Sequence, residues 1–362
     1  MWPFQDPSRR CPKIEEWPEA DRAAWERAIR KDHVLDDPGP ACHWSPATLH
    51  KNRRGYGRWL TFLLDRGLVT PGQRPADRVT KEVVRQYLRL LEDQALAPYT
   101  LVARICELRA VIAAMAPDRD WRWLTELATR LRRRAKPVKN KRSRMVASDD
   151  LFRLGLQLNE DAEMAEGRAL ELRAVQFRDG LMIALLAARQ LRASNLASIS
   201  LGRHLVHQGA GWILVFEAHE MKNRRSFEIP FPCDLEAALE RYLDTWRPVL
   251  CQGNQTDRLW ITRYGRAMGY KAVYARITKV TRRVLKAPLN PHLFRDCGAT
   301  SVAIEDPEHV HIIAAILGHA SHSTAERYYN QAQSLEAGRH YQEFIATQRR
   351  EMRRSKRSNG YR

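Results

Sequence analysis

The sequence has few cysteines and no closely spaced pair of them. Six cysteines are scattered over 362 residues, and none forms a CxxC pair. This spacing predicts neither a disulfide framework nor a zinc cluster. Reduced thiols with structural roles are expected at Cys11, Cys42, Cys106, Cys233, Cys251 and Cys297.

Long hydrophobic runs are also absent. The longest apolar run, Leu181–Ala188, is far short of the roughly 20 residues that a membrane span needs. The opening residues Met1–Phe4 do not begin a signal peptide. The sequence therefore predicts a soluble intracellular protein without a membrane partner.

Acidic residues are scarce relative to basic ones. The chain has 61 Lys and Arg against 42 Asp and Glu, a net charge of +19, and a pI near 10.0. Residues 129–144 contain nine basic and no acidic residues, and residues 349–362 contain seven basic residues and one acidic. Such an excess favours a polyanionic partner. A basic run is often a solvated tether, but its place between two domains of a basic protein favours contact with phosphates.

The length predicts two domains with connecting and terminal segments. Ser45 and Pro46 are typical of a helix start, and an apolar stripe follows them. Pro137 and like charges then interrupt the helical pattern, as in an extended linker. The predicted segments are an N-terminal extension of unknown role (1–44), a helical bundle (45–134), a basic linker (135–147), a second domain (148–348) and a basic tail (349–362).

Hydrophobic periodicity predicts mostly helices. Two short strands are expected at 212–217 and 226–231, around a polar turn. The predicted fold is therefore mainly α with a small antiparallel β-sheet (α+β). Helices are expected at 20–30, 80–92, 99–115, 121–134, 148–158 and 169–188.

Three basic residues stand at helix boundaries. Arg192 lies at the break between an apolar helix and a second helix that Ser194 can cap. Downstream of a predicted start at Asn290, His292 and Arg295 stand at i and i+3, where both can grip one phosphate. Each pattern alone equally fits a surface ion pair or a polar helix face.

Near the C-terminus a histidine precedes a helix that carries two tyrosines. A helix predicted from Asp306 ends near Gly318, and His319 follows at an exposed corner. Residues 323–326 have the form of a capping box, which places Tyr328 and Tyr329 in the second turn of a new helix. His319 and His322 resemble a metal-binding pair, but no cysteine or carboxylate cluster completes one, so no metal site is expected.

This ordered set resembles the tyrosine recombinase or phage integrase family over about residues 45–345. The nine-residue step from His319 to Tyr328 is its most specific part. The resemblance implies a helical core-binding domain and a tyrosine-recombinase catalytic domain. By it, the catalytic positions are Arg192, Lys222, His292, Arg295, His319 and Tyr328.

Three supporting positions depart from the family pattern. Gln190 replaces the usual glycine before the first arginine, and Asn195 replaces an acidic residue. Asp296 stands where a second histidine often follows the HxxR arginine. These departures bear on the rate of reaction more than on its type.

The resemblance implies a site-specific recombinase that works through a 3′-phosphotyrosine without cofactor, metal or ATP, for integration or excision of a mobile element. The implied partners are double-stranded DNA, a tetramer of this chain on that DNA, and accessory DNA-bending or directionality proteins. The implied location is the cytoplasm, in association with the nucleoid. The alternatives are a type IB topoisomerase-like enzyme and a catalytically silent DNA-binding protein.

Residues predicted to contact DNA are Arg53, Arg54, Arg58, Arg132, Arg133, Arg134, Lys136, Lys139, Lys141 and Arg142.

Overall fold

The chain is described by a computed structural model, and it divides into two compact units, residues 1–140 and 141–362. The residues described are 11–31, 37–138, 144–209, 211–221 and 223–305, with side chains as far as 301. Most of them are helical, and a three-stranded antiparallel sheet is present. The predicted fold class is confirmed. No helix within the described ranges has the combined length and apolar character of a membrane span.

Five α-helices make up the described part of the N-terminal unit. They are α1 (Glu19–Ile29), α2 (Pro46–Asp65), α3 (Lys81–Asp93), α4 (Pro98–Met115) and α5 (Arg122–Arg134). The predicted start of α2 is confirmed, because the Thr48 N–H donates to Ser45 Oγ at 3.3 Å and Pro46 takes the first helical position. At α3 the Val83 N–H donates to Thr80 Oγ1 in the same way. Side-chain caps of this kind satisfy the free amides of a first turn.

The core of this unit surrounds α4, which packs against α1, α2 and α5. Its apolar residues face several directions, as expected of a helix buried at a centre. Aromatic rings fill the space beside it, and the rings of Trp59, Phe62 and Tyr87 lie 5.2–5.5 Å apart. Trp25 of α1 belongs to the same hydrophobic cluster, so α1 is an integral part of the bundle.

A buried ion pair joins α1 to the rest of the bundle. The Asp21 carboxylate accepts hydrogen bonds from Tyr56 Oη, at 2.6 Å, and from the Arg78 guanidinium. Asp21 is fully buried and Arg78 is 3% exposed. Burial and the Asp21 charge raise the pKa of Tyr56, so its hydroxyl stays protonated and donates. Asp21 therefore neutralises a guanidinium that water does not reach.

Replacing Asp21 with Asn is expected to destabilise the N-terminal unit by about 3–5 kcal/mol, because it leaves a buried guanidinium without its counter-charge. Urea unfolding followed by tryptophan fluorescence measures this as a lower midpoint. The exposed Asp118 provides the control, since Asp118→Asn should change stability by less than about 0.5 kcal/mol. Equal midpoints for the two variants would show that the ion pair contributes little.

The C-terminal unit contains seven described α-helices and the sheet. The helices are α6 (Ser148–Met164), α7 (Leu170–Ala188), α8 (Ala193–Ser198), α9 (Glu236–Arg241), α10 (Arg247–Cys251), α11 (Tyr270–Leu285) and α12 (Pro291–Glu305), and the strands are β1 (Leu205–Gln208), β2 (Gly211–Phe216) and β3 (Phe227–Pro230). The sheet order is β1-β2-β3, with Leu205 opposite Leu214 and Phe216 opposite Phe227. The strands β2 and β3 were predicted, and β1 was not.

The long helix α7 forms the centre of this unit, with nearly every residue from Ala174 to Ala187 buried. It lies close along α6, because each helix presents a glycine at the crossing. A Cβ on Gly155 would lie 2.6 Å from Ala184, and one on Gly180 would lie 2.5 Å from the Gly155 carbonyl oxygen. The helices α11 and α12 also pack on α7, so the turn at its C-terminal end is surrounded by several fixed elements.

Candidate active site

Arg192 lies in the turn that follows α7. It occupies the N-cap position of α8 with an extended backbone (φ −68°, ψ 143°). The helix therefore starts at Ala193, and the prediction that Ser194 caps it is wrong. Ser194 lies inside the first turn, where its Oγ is 3.4 Å from Asn195 Oδ1. Burial lowers the pKa of the half-buried Arg192 guanidinium, which still stays charged at neutral pH.

The HxxR pair lies at the start of α12, where the sequence predicts it. Asn290 Oδ1 accepts hydrogen bonds from the backbone N–H groups of His292 and Leu293, each at 3.0 Å. This cap and Pro291 fix the first turn. His292 is exposed, whereas Arg295 is only 6% exposed, one turn further along.

Arg295 joins α12 to the turn that carries Arg192. Its Nη1 donates a hydrogen bond to the main-chain carbonyl of Gln190, two residues before Arg192. The two predicted phosphate-binding arginines are thereby brought to one place, although about a hundred residues separate them in sequence. Both are cations in a partly desolvated setting, where an anion is attracted more strongly than in bulk water.

The same turn accommodates Gln190, one of the three departures from the family pattern that the sequence resembles. Gln190 Nε2 donates to the Ala187 carbonyl at 2.8 Å, so its side chain lies back over the end of α7. There it packs on Gly298 of α12, where a Cβ would lie 2.6 Å from the Gln190 side chain. No sequence motif predicts this pairing, because only the fold places the two residues side by side.

The turn between β2 and β3 is held to the start of β1. Glu220 Oε1 lies 3.0 Å from His204 Nε2 and 2.6 Å from Arg203 Nη2. Glu220 Oε2 accepts a hydrogen bond from the Glu217 N–H at 3.0 Å. Lys222, two residues further on, lies outside the described residues, and so do His319 and Tyr328. The six catalytic roles stay predictions.

No group of three or more histidine, cysteine, aspartate or glutamate side chains suited to a metal ion occurs within the described ranges. The buried Cys297 follows Asp296 in α12, and burial raises the pKa of its thiol. Asp296 is itself only 9% exposed. These residues therefore belong to the packed face of α12.

Of the predicted DNA-contacting residues, three lie on α2 around one cavity. Arg53, Arg54 and Arg58 line a cavity of about 870 Å³ in the N-terminal unit, together with His50 and Arg104, which were not predicted. Burial, with the charges of Arg104 and Arg54, lowers the pKa of Arg58. The crowding of cations makes this cavity a favourable place for an anion.

One buried carboxylate lies among these cations. Glu107 is 4% exposed and pairs with Arg104. Burial raises the pKa of Glu107, against the opposite effect of Arg104 and Lys51. The cluster thus has a strong excess of positive charge.

The other predicted DNA contacts lie in the last turn of α5 or just beyond it. Arg132, Arg133 and Arg134 are exposed in its last turn, and Lys136 is exposed just beyond it. Three more, Lys139, Lys141 and Arg142, lie outside the described residues. None of the DNA-binding roles is tested by the structure, and they stay predictions.

Comparison with known proteins supports the predicted resemblance. Residues 163–334 match the phage integrase family. Tyrosine recombinase XerC of Pseudomonas syringae pv. tomato is 26% identical over 174 residues, which is 48% of this chain and 54% of the relative. The chain therefore spans about half the length of the curated relatives it matches.

Two solved structures share the fold at low sequence identity. One is XerH site-specific recombinase bound to a palindromic difH substrate, with a TM-score of 0.54, 12% identity, and coverage of 91% of this chain and 98% of that one. The other is the Tn1549 transposon integrase in complex with transposon right end DNA, with a TM-score of 0.51, 14% identity, and coverage of 82% and 94%. These two structures show a shared fold, and the predicted resemblance to the phage integrase family is confirmed by the match over residues 163–334.

Proposed function

We propose, from the match of residues 163–334 to the phage integrase family, that this chain is a site-specific DNA recombinase acting through a 3′-phosphotyrosine. The observation that carries the proposal is the hydrogen bond from Arg295 to the Gln190 carbonyl. It joins the HxxR helix to the turn of Arg192, as a phosphate site built from two arginines requires.

In the proposed cleavage step the Tyr328 hydroxyl oxygen attacks the scissile phosphorus. The new P–O bond replaces the bond to the 5′ oxygen, which leaves with the electron pair and takes a proton from Lys222. The phenol proton is lost to a base or to water, and His292 and His319 assist this transfer or orient the phosphate. A phenol with a pKa near 10 is a better nucleophile at neutral pH than an alkyl hydroxyl.

Negative charge on the nonbridging oxygens rises during this step. Arg192 and Arg295 meet that charge with forked N–H donors that are held in place beforehand. The phosphotyrosine conserves the energy of the broken bond, so that attack by a free 5′ hydroxyl rejoins the strand without ATP. When that hydroxyl belongs to another strand, the product is recombinant.

Double-stranded DNA is the proposed partner, bound by the cationic cavity on α2 and the arginines at the end of α5. We propose assembly as a tetramer on DNA, with accessory bending or directionality proteins, to integrate or excise a mobile element. The fold is shared with both a Xer recombinase and a transposon integrase, so the fold does not identify the biological reaction. The DNA products of the reaction identify it. Exchanged strands favour recombination, and relaxed circles favour a topoisomerase.

The proposed function predicts a covalent protein–DNA adduct on a nicked suicide substrate that carries the cognate end or junction. The adduct should form with EDTA present and ATP absent, because residues of the chain supply the whole mechanism. A denaturing gel with labelled DNA measures it. If the protein binds this DNA in a mobility-shift assay and still forms no adduct, the chain is a DNA-binding protein without cleavage activity.

A further inference from the structure

The carboxylate of Glu220 lies in the turn between β2 and β3 and contacts an imidazole, a guanidinium and a backbone N–H group. These are His204 Nε2 at 3.0 Å, Arg203 Nη2 at 2.6 Å and the Glu217 N–H at 3.0 Å. The two oxygens thus each meet at least one donor. An ion pair with the exposed Arg203 contributes little, so the bonds to His204 and Glu217 define the geometry.

His204 connects this carboxylate to the backbone that follows α8. The ring is 3% exposed and packs on Phe216, with centroids 5.2 Å apart. The Ser200 N–H donates to His204 Nδ1 at 3.2 Å. Nδ1 therefore carries no hydrogen, and in the neutral tautomer Nε2–H donates to Glu220. Ser200 is in turn paired with Arg258 across an isolated β-bridge.

A second contact links α8 to the same turn. Asn195 Nδ2 donates to Met221 Sδ at 3.1 Å, and both residues are more than nine-tenths buried. Met221 is the residue before Lys222 in the chain. Two independent contacts therefore hold the two residues before Lys222 in the chain, Glu220 through His204 and Met221 through Asn195. Both contacts lead back to α8 or to the backbone that follows it.

We propose that Glu220 is a positioning residue, which holds the turn bearing Lys222 against the backbone behind Arg192 so that the lysine can protonate the leaving 5′ oxygen. The inference rests on the proposed function, since it needs Lys222 as the proton donor. It adds a residue outside the six predicted catalytic positions.

A carboxylate suits this position better than an amide does. Both Glu220 oxygens face N–H donors, and an amide would present its own NH₂ group to one of them. Partial burial acts to raise the pKa of Glu220, but hydrogen bonds from His204 and the Glu217 N–H outweigh it and hold the pKa below its usual range. Glu220 is therefore ionised at neutral pH, and Glu220→Gln is the substitution that tests the geometry while keeping the size.

The test compares two nicked DNA substrates, one ordinary and one with sulfur in place of the bridging 5′ oxygen at the scissile phosphate. On the ordinary substrate Tyr328 displaces an alkoxide that must gain a proton. On the sulfur substrate the P–S bond breaks and a thiolate leaves. A thiol is far more acidic than an alcohol, with a pKa of about 8.5 for a cysteine side chain, so this leaving group needs no proton donor.

We expect Glu220→Gln to form the covalent adduct about 10–100-fold more slowly than the native protein on the ordinary substrate. On the sulfur substrate the two rates should agree within about twofold, because positioning of the acid no longer matters. Single-turnover reactions at saturating protein, followed on denaturing gels, give both rates. Agreement on the sulfur substrate also establishes that the variant is folded.

The matched control is Glu228→Gln, which removes the same charge from an exposed position on β3. It should match the native protein on both substrates. A Glu220→Gln protein that is equally slow on both, or native on both, overturns the positioning role. If the native protein forms no adduct on either substrate, the proposed function itself has failed. That outcome differs from failure of the positioning role, because it is measured on the native protein and not on the variant.

Discussion

Replacing Tyr328 with Phe is expected to abolish the covalent protein–DNA adduct completely, while Tyr329→Phe keeps it. The first change removes the oxygen proposed to attack the phosphorus, and covalent catalysis has no partial substitute for a missing nucleophile. Tyr329 is not expected to replace it, because neighbours in the predicted helix point about 100° apart. The assignment rests on the nine-residue step from His319, since both tyrosines lie outside the described residues.

The measurement is a denaturing gel of protein incubated with nicked, labelled DNA, with a mobility-shift assay on the same samples. Both variants should bind DNA as the native protein does, because each loses one hydroxyl and no charge. An adduct in Tyr328→Phe that disappears in Tyr329→Phe would transfer the role to Tyr329. An adduct in both variants would require a nucleophile other than these two tyrosines.

Helix positions were predictable wherever a capping residue marks a boundary. Ser45, Thr80 and Asn290 each accept hydrogen bonds from backbone N–H groups of a first helical turn. A cap acts within four residues, so the sequence itself contains the information. The turn that carries Arg192 is different, because α8 begins at Ala193 without a side-chain cap. Ser194 is a residue type that often caps a helix, but here it lies inside the first turn.

The strand β1 was missed for a related reason. Its four residues, Leu205–Gln208, have only one fully buried side chain and end in His and Gln. It is a strand because β2 pairs with it, with Val206 opposite Ile213. Such pairing is a tertiary effect, which overrides weak local preference in short edge strands.

The family motifs predicted the chemistry of the candidate site, but not the contacts that support it. The contact between Gln190 and Gly298 joins positions 108 apart, and the hydrogen bond from His204 to Glu220 joins the residue before β1 to the turn between β2 and β3. Neither has a motif. They are found only once the fold brings the residues together, and they account for a departure from the family pattern and for the proposed positioning residue.

Replacing Arg295 with Lys is expected to slow adduct formation by about 100–1,000-fold, the usual effect of removing one well-placed donor to transition-state charge. A guanidinium carries five N–H donors in a planar fork, so it can hold a backbone carbonyl and a phosphate together. Lysine keeps the charge but has a single nitrogen. Its three N–H donors radiate from that one atom, so they do not span the distance by which the fork separates the Gln190 carbonyl, which fixes the turn of Arg192, from a phosphate.

The reaction is followed in single turnovers at saturating protein, so that weaker DNA binding does not enter the rate. Arg283→Lys provides the control, since it makes the same chemical change at an exposed position of α11 and should cleave at the native rate. Urea unfolding of both variants checks that the C-terminal unit is intact. A native cleavage rate in Arg295→Lys would mean that any cation suffices at this position, and that the fork of the arginine serves packing alone. A large loss with unchanged stability would instead show that the fork itself is needed, either at the scissile phosphate or at the turn of Arg192.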